Sequence, residues 1–244
     1  MAHDLSLVAD HTARLVATAR NLDDVQAASL CEGWSRGHVL THVARNAEAV
    51  DRLAQWAVTG EPQRMYPGGT RARDADIAAG AGRPPRELAE DLVRTAEALA
   101  SRLEALSGPL ATDLVEMRGG LEVEARTLPF LRLRELVFHH VDLDAGFTFE
   151  DVEDDLLHRF VDDAVARLRR HPQRPLLELR SSTGGAWSVA RESAATVDSP
   201  TVGGAPGDGV TVSGTPAGLL LWLARRDPAG VRADGPLPEL PQGA

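Results

Sequence analysis

Three side chains in this sequence have the types and spacing to hold a metal ion: His42, Glu135 and His139. Glu135-x-x-x-His139 sets a carboxylate and an imidazole one helical turn apart, so both can reach a single ion, and His42 from a facing helix would complete a set of three. Three protein ligands leave one position for water or substrate, which is what a catalytic zinc needs. The same spacing also suits a buried His–Glu hydrogen bond without metal, and spacing alone does not choose between them. His38 lies one turn before His42; as a fourth ligand it would close the site, but it sits further from the core face and fits a supporting or helix-start role better. Asp142 is placed to orient a ligand imidazole. His140 points away from Glu135 and is expected in solvent or between domains. The single cysteine, Cys31, rules out an internal disulfide and a thiolate-rich metal site. It is expected to be a packing residue beside a helix start.

The elements that must present these groups follow from periodicity. Apolar residues recur at helical spacing from Leu5 to about Val25. Ser35 is an N-cap for a second helix that runs to about Thr59, where Gly60 and Pro62 stop it. Residues 60–84, rich in Gly, Pro and Arg and without periodicity, form a long connection. Pro84-Pro85 opens a third helix ending near Gly108-Pro109, and Pro129 begins a fourth that continues to Asp144-Ala-Gly146. Between them, the alternation around Gly119-Gly120 suggests a small hairpin.

At ~100° per residue, Leu131, Glu135, Phe138, His139 and Asp142 share an arc of about 100° on the fourth helix, while Arg132, Arg134 and His140 point elsewhere. An ionised Glu on a face meant for the core costs several kcal/mol (roughly) unless paired or bound to a cation. On the second helix the face centred on Val39, Val43, Val50 and Ala57 carries Asn46 inside it and His42 at its edge. Polar groups of two helices therefore meet in one core, as in the antiparallel bundles that build cofactor sites in their middle.

After residue 148 the pattern changes to a helix (about 150–170), strand-like runs at 175–181, 186–190 and 210–213 around a Gly/Pro-rich turn at 203–209, and a helix from Pro216 to Arg226. The expected architecture is thus a four-helix bundle over 1–148 followed by a smaller α+β domain over 149–244, with an extended tail from Gly235. The net charge of −10 argues against a nucleic-acid partner. The longest apolar runs are much shorter than a membrane span, and no signal segment opens the chain, so a cytoplasmic protein is expected, with a monomer favoured.

The run Gly33-Trp-Ser-Arg-Gly-His-Val-Leu-Thr-His-Val-Ala-Arg-Asn-Ala47 resembles the histidine-bearing second helix of DinB-like metal-binding bundles, and more narrowly that of the mycothiol-dependent maleylpyruvate isomerase family. Three further blocks are similar to that family: Trp56-Ala-Val-Thr-Gly-Glu61 with Met65-Tyr66, Arg134-Glu-Leu-Val-Phe-His-His-Val-Asp-Leu143, and Val212-Ser-Gly-Thr-Pro-Ala-Gly218 leading to Arg226. The resemblance implies zinc on His42, Glu135 and His139. It also implies a catalytic arginine in the small domain at Arg226, although this sequence has Arg225-Arg226 where relatives tend to have Gly-Arg. The implied reaction is cis-to-trans isomerisation of maleylpyruvate to fumarylpyruvate in gentisate breakdown, with mycothiol as thiol cofactor.

That chemistry suits the residues present. A cis double bond conjugated to a carbonyl can rotate once a nucleophile has added to it, and the thiol must come from outside the chain. Zinc with an open position would hold it as thiolate. A dianionic substrate needs cations, for which Arg226 is the first candidate and Arg73, from the 60–84 connection, a weaker one more expected at the surface. Two other readings remain at this point: a mycothiol S-transferase acting on another electrophile, and a non-enzymatic metal-binding module on the same bundle.

Overall fold

In a computed structural model, which describes residues 1–190 and 209–241, the chain divides into two units, Met1–Phe147 and Thr148–Ala244. The first is built on four long helices: α1 (Ala2–Arg20), α2 (Arg36–Thr59), α4 (Pro85–Ala105) and α5 (Leu128–Asp142), with a shorter α3 (Gly69–Gly80) and a hairpin of β1 (Leu114–Glu116) and β2 (Glu122–Glu124) between them. Helix α2 is central and packs against α4 and α5, while α1 packs against the same two.

The apolar stripes on these helices interlock as the periodicity predicts. Leu15 of α1, Leu40 and Leu53 of α2, and Leu88 and Leu99 of α4 are inaccessible or nearly so. Each such side chain contributes about 1.5–3 kcal/mol by burial, and Leu53→Ala should cost roughly 2–5 kcal/mol once the cavity is counted. The start of α2 is pinned by backbone approach: a Cβ on Gly37 would lie 2.0 Å from the Ala81 carbonyl, so only glycine fits. Gly60, at φ 78°, ends α2 in the left-handed conformation, and its N–H donates to the Trp56 carbonyl.

Two expectations need correction. Residues 60–84 are not simply a connection, because 69–80 form α3. The signal was faint because α3 buries only Ile77, leaving no apolar stripe to detect, while its alanines and arginines still favour helix locally. Helix α5 also has more than one buried face. Arg132 and His140 are 1% and 2% exposed, because α5 is packed on one side by α1 and on another by α2. Arg132 donates to the Val43 carbonyl (2.9 Å) and to Asn46 Oδ1 (2.7 Å). This explains an asparagine in the middle of the apolar face of α2. His140 is not solvated: its Nε2 lies 2.7 Å from Thr18 Oγ1, and its ring stacks on Phe147 at 3.8 Å.

The second unit has α6 (Asp154–Arg170), a mixed sheet of β3 (Leu177–Ser181), β4 (Ala186–Val189), β5 (Val210–Gly214) and β6 (Val231–Ala233), and α7 (Pro216–Arg225). The strand order is β4-β3-β5-β6, with β3 and β5 parallel and the other pairs antiparallel. Strand β6 falls just before the tail expected to be extended; with three residues it is too short to leave a pattern. Thr215 caps α7 by accepting from Gly218 N–H at 3.0 Å, with Pro216 in the first turn. The Gly/Pro-rich turn expected at 203–209 lies outside the described residues except for Gly209. No described helix is long and apolar enough to cross a membrane.

Candidate metal centre

Helix α2 carries His42 and helix α5 carries Glu135 and His139 into one place. His42 Nε2 is 3.2 Å from Glu135 Oε2, and His139 Nε2 is 3.5 Å from the same oxygen. One donor atom from each of the three residues lies within 4.8 Å of the other two, close enough to share a cation. Two imidazoles and one carboxylate form the donor set of a three-ligand zinc site. All three line a cavity of about 450 Å³, so a fourth position would face that space.

Both candidate ligand histidines are held by neighbours. Asp142, fully buried, takes a hydrogen bond from His139 Nδ1 at 2.8 Å, which leaves Nε2 facing Glu135 as the nitrogen a metal could take. The same carboxylate oxygen accepts from the Cys31 thiol at 3.2 Å. His42 sits under Trp34, edge-on with ring centres 5.4 Å apart. Its Nδ1 faces the Arg73 guanidinium at 3.0 Å. Arg73, on α3, has a side chain only 10% exposed, and its guanidinium carbon lies 5.8 Å from the Trp34 ring centre and 5.6 Å from that of Tyr66. Its NH1 donates to Asp74 at 2.7 Å, while its buried Nε finds no partner among the described residues.

Charge at the centre is unbalanced without a cation. Burial pushes the His42 imidazole down to about 4, so it stays neutral and can offer a lone pair. Burial alone would raise Glu135, but the imidazoles of His139 and His42 outweigh it and hold the carboxyl well below its usual range. Burial would likewise lower His139; contacts with Asp142, Cys31 and Glu135 win and hold it well above the ordinary histidine value. In the metal-free protein a proton on His139 thus sits between two carboxylates. A divalent ion on Nε2 would meet the same demand for positive charge, so the residues present fit the metal.

The structure brings His42, Glu135 and His139 together, with Asp142 behind His139. His38 is a helix-start residue: its Nδ1 accepts from the Ser35 N–H at 3.2 Å and lies 2.8 Å from Ser35 Oγ. Arg73, expected at the surface, is packed against His42. Cys31 packs against the bundle core as expected and also lines the same cavity. Cys31, His139 and Asp142 form a second group whose donor atoms lie within 4.8 Å of one another. Tyr66, the one tyrosine in the chain, stands beside Met65 in one of the family-like blocks, and Trp34 in another. In the second unit Arg226 ends α7 in the left-handed conformation, φ 63°, with its guanidinium donating to the carbonyls of Leu223 and Pro241. Burial, and then the charge of Arg225, lower its pKa.

The sequence model of a family described as the mycothiol maleylpyruvate isomerase N-terminal domain matches residues 5–144. Among solved structures, the crystal structure of the mycothiol-dependent maleylpyruvate isomerase is 28% identical, covers 98% of this chain and 95% of its own, and superposes with a TM-score of 0.84. The crystal structure of a histidine-to-alanine mutant of that isomerase is similar to the same degree, at 28% identity and TM-score 0.84. No curated protein sequence matches the chain.

Proposed function

Because the chain belongs to the mycothiol maleylpyruvate isomerase family, we propose that it is a zinc- and mycothiol-dependent isomerase converting maleylpyruvate to fumarylpyruvate. The observation that carries this is the His42–Glu135–His139 cluster opening on a cavity, with a buried carboxylate aligning one imidazole. The likeness to the solved isomerase along nearly the whole chain supports the same reaction. The same proposal includes a place in gentisate breakdown and a cytoplasmic location.

Bound at this cluster, zinc would supply a fourth position that keeps a thiol in its nucleophilic thiolate form, and reversible thiol addition lets the cis double bond turn. The chain's own residues do the rest. Asp142 fixes the tautomer of His139, so that Nε2 is the ligating nitrogen. Glu135 stays anionic and His42 neutral, the protonation states a ligand set needs. Trp34 and Tyr66 wall the cavity and limit water around a reactive sulfur. Arg73 presents a guanidinium to the cavity and can hold one carboxylate of the substrate. By the family resemblance, Arg226 in the smaller unit is our candidate for a catalytic cation.

The direct test mixes metal-loaded protein, maleylpyruvate and mycothiol and follows fumarylpyruvate. Turnover should need both metal and thiol and should survive Cys31→Ser. Turnover without thiol, or its loss in that variant, would rule out an external thiolate. Arg226→Ala should keep its metal and lose roughly 30- to 1,000-fold in kcat/KM, about 2–4 kcal/mol of transition-state stabilisation. A helix-end arginine of structural use only would instead change stability by about 0.3–1 kcal/mol and leave kinetics near normal.

A further inference from the structure

The metal cavity does not end at Arg73 and Tyr66. A second cavity of about 570 Å³ lies between the 62–70 segment and the β1–β2 hairpin, and the two share Met65, Tyr66, Met117 and Arg118 as a common wall. The two are lined by different chemistry. The metal cavity holds the imidazoles, Glu135 and Arg73. The second has the indole of Trp56 with Gln63, Arg64, Thr70, Glu116 and Arg118 around it.

An aromatic face beside neutral, basic and acidic hydrogen-bonding groups matches a polyhydroxylated ring. Hydroxyls both donate and accept, and their ring C–H faces lie against indole. A simple anion is a poorer match, because Glu116 is among the lining residues. Among the described residues, the side chains of Arg64, Glu116 and Arg118 make no hydrogen bond or ion pair with the rest of the chain, so their hydrogen-bonding capacity is open to a ligand. Mycothiol has that composition: an acetylated cysteine joined to a glucosamine–inositol pair, one small reactive end and one large neutral polyol. With the sulfur at the metal cluster, the polyol must leave the metal cavity through an adjoining space.

We propose that the cavity between the 62–70 segment and the β1–β2 hairpin is the subsite for the sugar–cyclitol half of the thiol, with Trp56 as its stacking face and Arg64 and Arg118 as its hydroxyl contacts. It rests on the thiol dependence proposed above and makes these residues the determinants of thiol choice. Specificity of this kind arises because polar groups built for hydroxyls are left unpaired by a thiol that lacks them.

The experiment compares binding of mycothiol and of N-acetylcysteine, which has the same reactive end and no rings, to zinc-loaded protein by calorimetry. Arg118→Ala and Arg64→Ala alter exposed positions and spare the apolar packing around Trp56. Each should weaken mycothiol about tenfold while N-acetylcysteine changes by less than about twofold. Unchanged mycothiol affinity, equal weakening of both thiols, or native protein that binds the two equally well would overturn the subsite. Maleylpyruvate turnover by the native protein separates the two proposals. Normal turnover with unaltered affinity in the variants refutes the subsite alone, and absent turnover with selective loss of mycothiol binding refutes the reaction alone.

Discussion

Helix α2 stands beside two carboxylates, one buried and one mostly so, that have opposite fates. Asp91 on α4 meets Arg45, Arg83 and Arg94; Arg45 binds it through both oxygens at 2.8 and 3.0 Å, and Arg83 adds a contact at 2.8 Å. Glu135 on α5 meets two imidazoles. Guanidinium carries its charge at any ordinary pH, so Asp91 is neutralised by the chain itself. Imidazole is charged only if burial permits, and at His42 burial forbids it. A buried acid surrounded by arginine is therefore a structural joint, whereas one surrounded by histidine is balanced only by a titratable proton, here on His139, whose place a divalent ion can take. The difference lies in the partners and not in the acid.

This contrast can be broken by exchanging charge at each acid in turn. The largest effect is expected at the metal cluster: Glu135→Gln or His42→Ala should bring zinc content from about one ion per chain to near zero by metal analysis. The loss in affinity should exceed the roughly 10- to 100-fold that removing a supporting hydrogen bond costs. Zinc retained in His42→Ala, or lost in His38→Ala, would show that the ligands are misassigned. In metal-free protein Glu135→Gln removes one of the two carboxylates around the His139 proton and should lower stability by about 1–3 kcal/mol in denaturant titration.

Asp142→Asn comes next. It keeps an acceptor near His139 but removes the charge, and metal affinity should fall by roughly 10- to 100-fold in competition with a chelator. Wild-type affinity in this variant would mean that the His139–Asp142 contact only packs the helix end.

Asp91→Asn should leave zinc content unchanged and lower stability by about 1–3 kcal/mol. Its pH dependence makes a finer test. Burial raises the Asp91 pKa, but Arg83, Arg45 and Arg94 outweigh it and the net shift is downward from 3.8. A depressed carboxyl pKa contributes stability that is present above the unfolded value and lost as pH falls through the folded one. The stability gap between wild type and Asp91→Asn should accordingly be constant near neutrality and close as pH falls below about 3.8. A gap that widened in acid would reverse the assignment of Asp91 as a satisfied ion.

His42, Glu135 and His139 could be found in the sequence because each interrupts an otherwise apolar helix face, and a polar group there demands an explanation. Arg73 was legible only as a weaker candidate cation; its burial against His42 was not, since its helix shows no stripe and His42 stands 31 positions away. Cys31 reaches Asp142 across 111 positions, a pairing that only the fold creates. His140 was misplaced because a helical wheel assumes one buried face, and α5 is packed by two neighbours. The hairpin at 114–124 and the helices of both units other than α3 were legible from turn residues and periodicity. A three-residue strand such as β6 falls below what periodicity can register.

Arg132 has a consequence for how the cluster is assembled. Its guanidinium reaches α2 at Val43 and Asn46, one residue past His42 and one turn beyond that, from a position one turn before Glu135 on α5. Sliding α5 by one residue would shift it about 1.5 Å along its axis and strand a buried cation away from both acceptors, so such a slip is strongly opposed. The arginine acts as a dowel between two shafts. It sets their relative height, and the three candidate ligands borne on those shafts inherit their alignment from it.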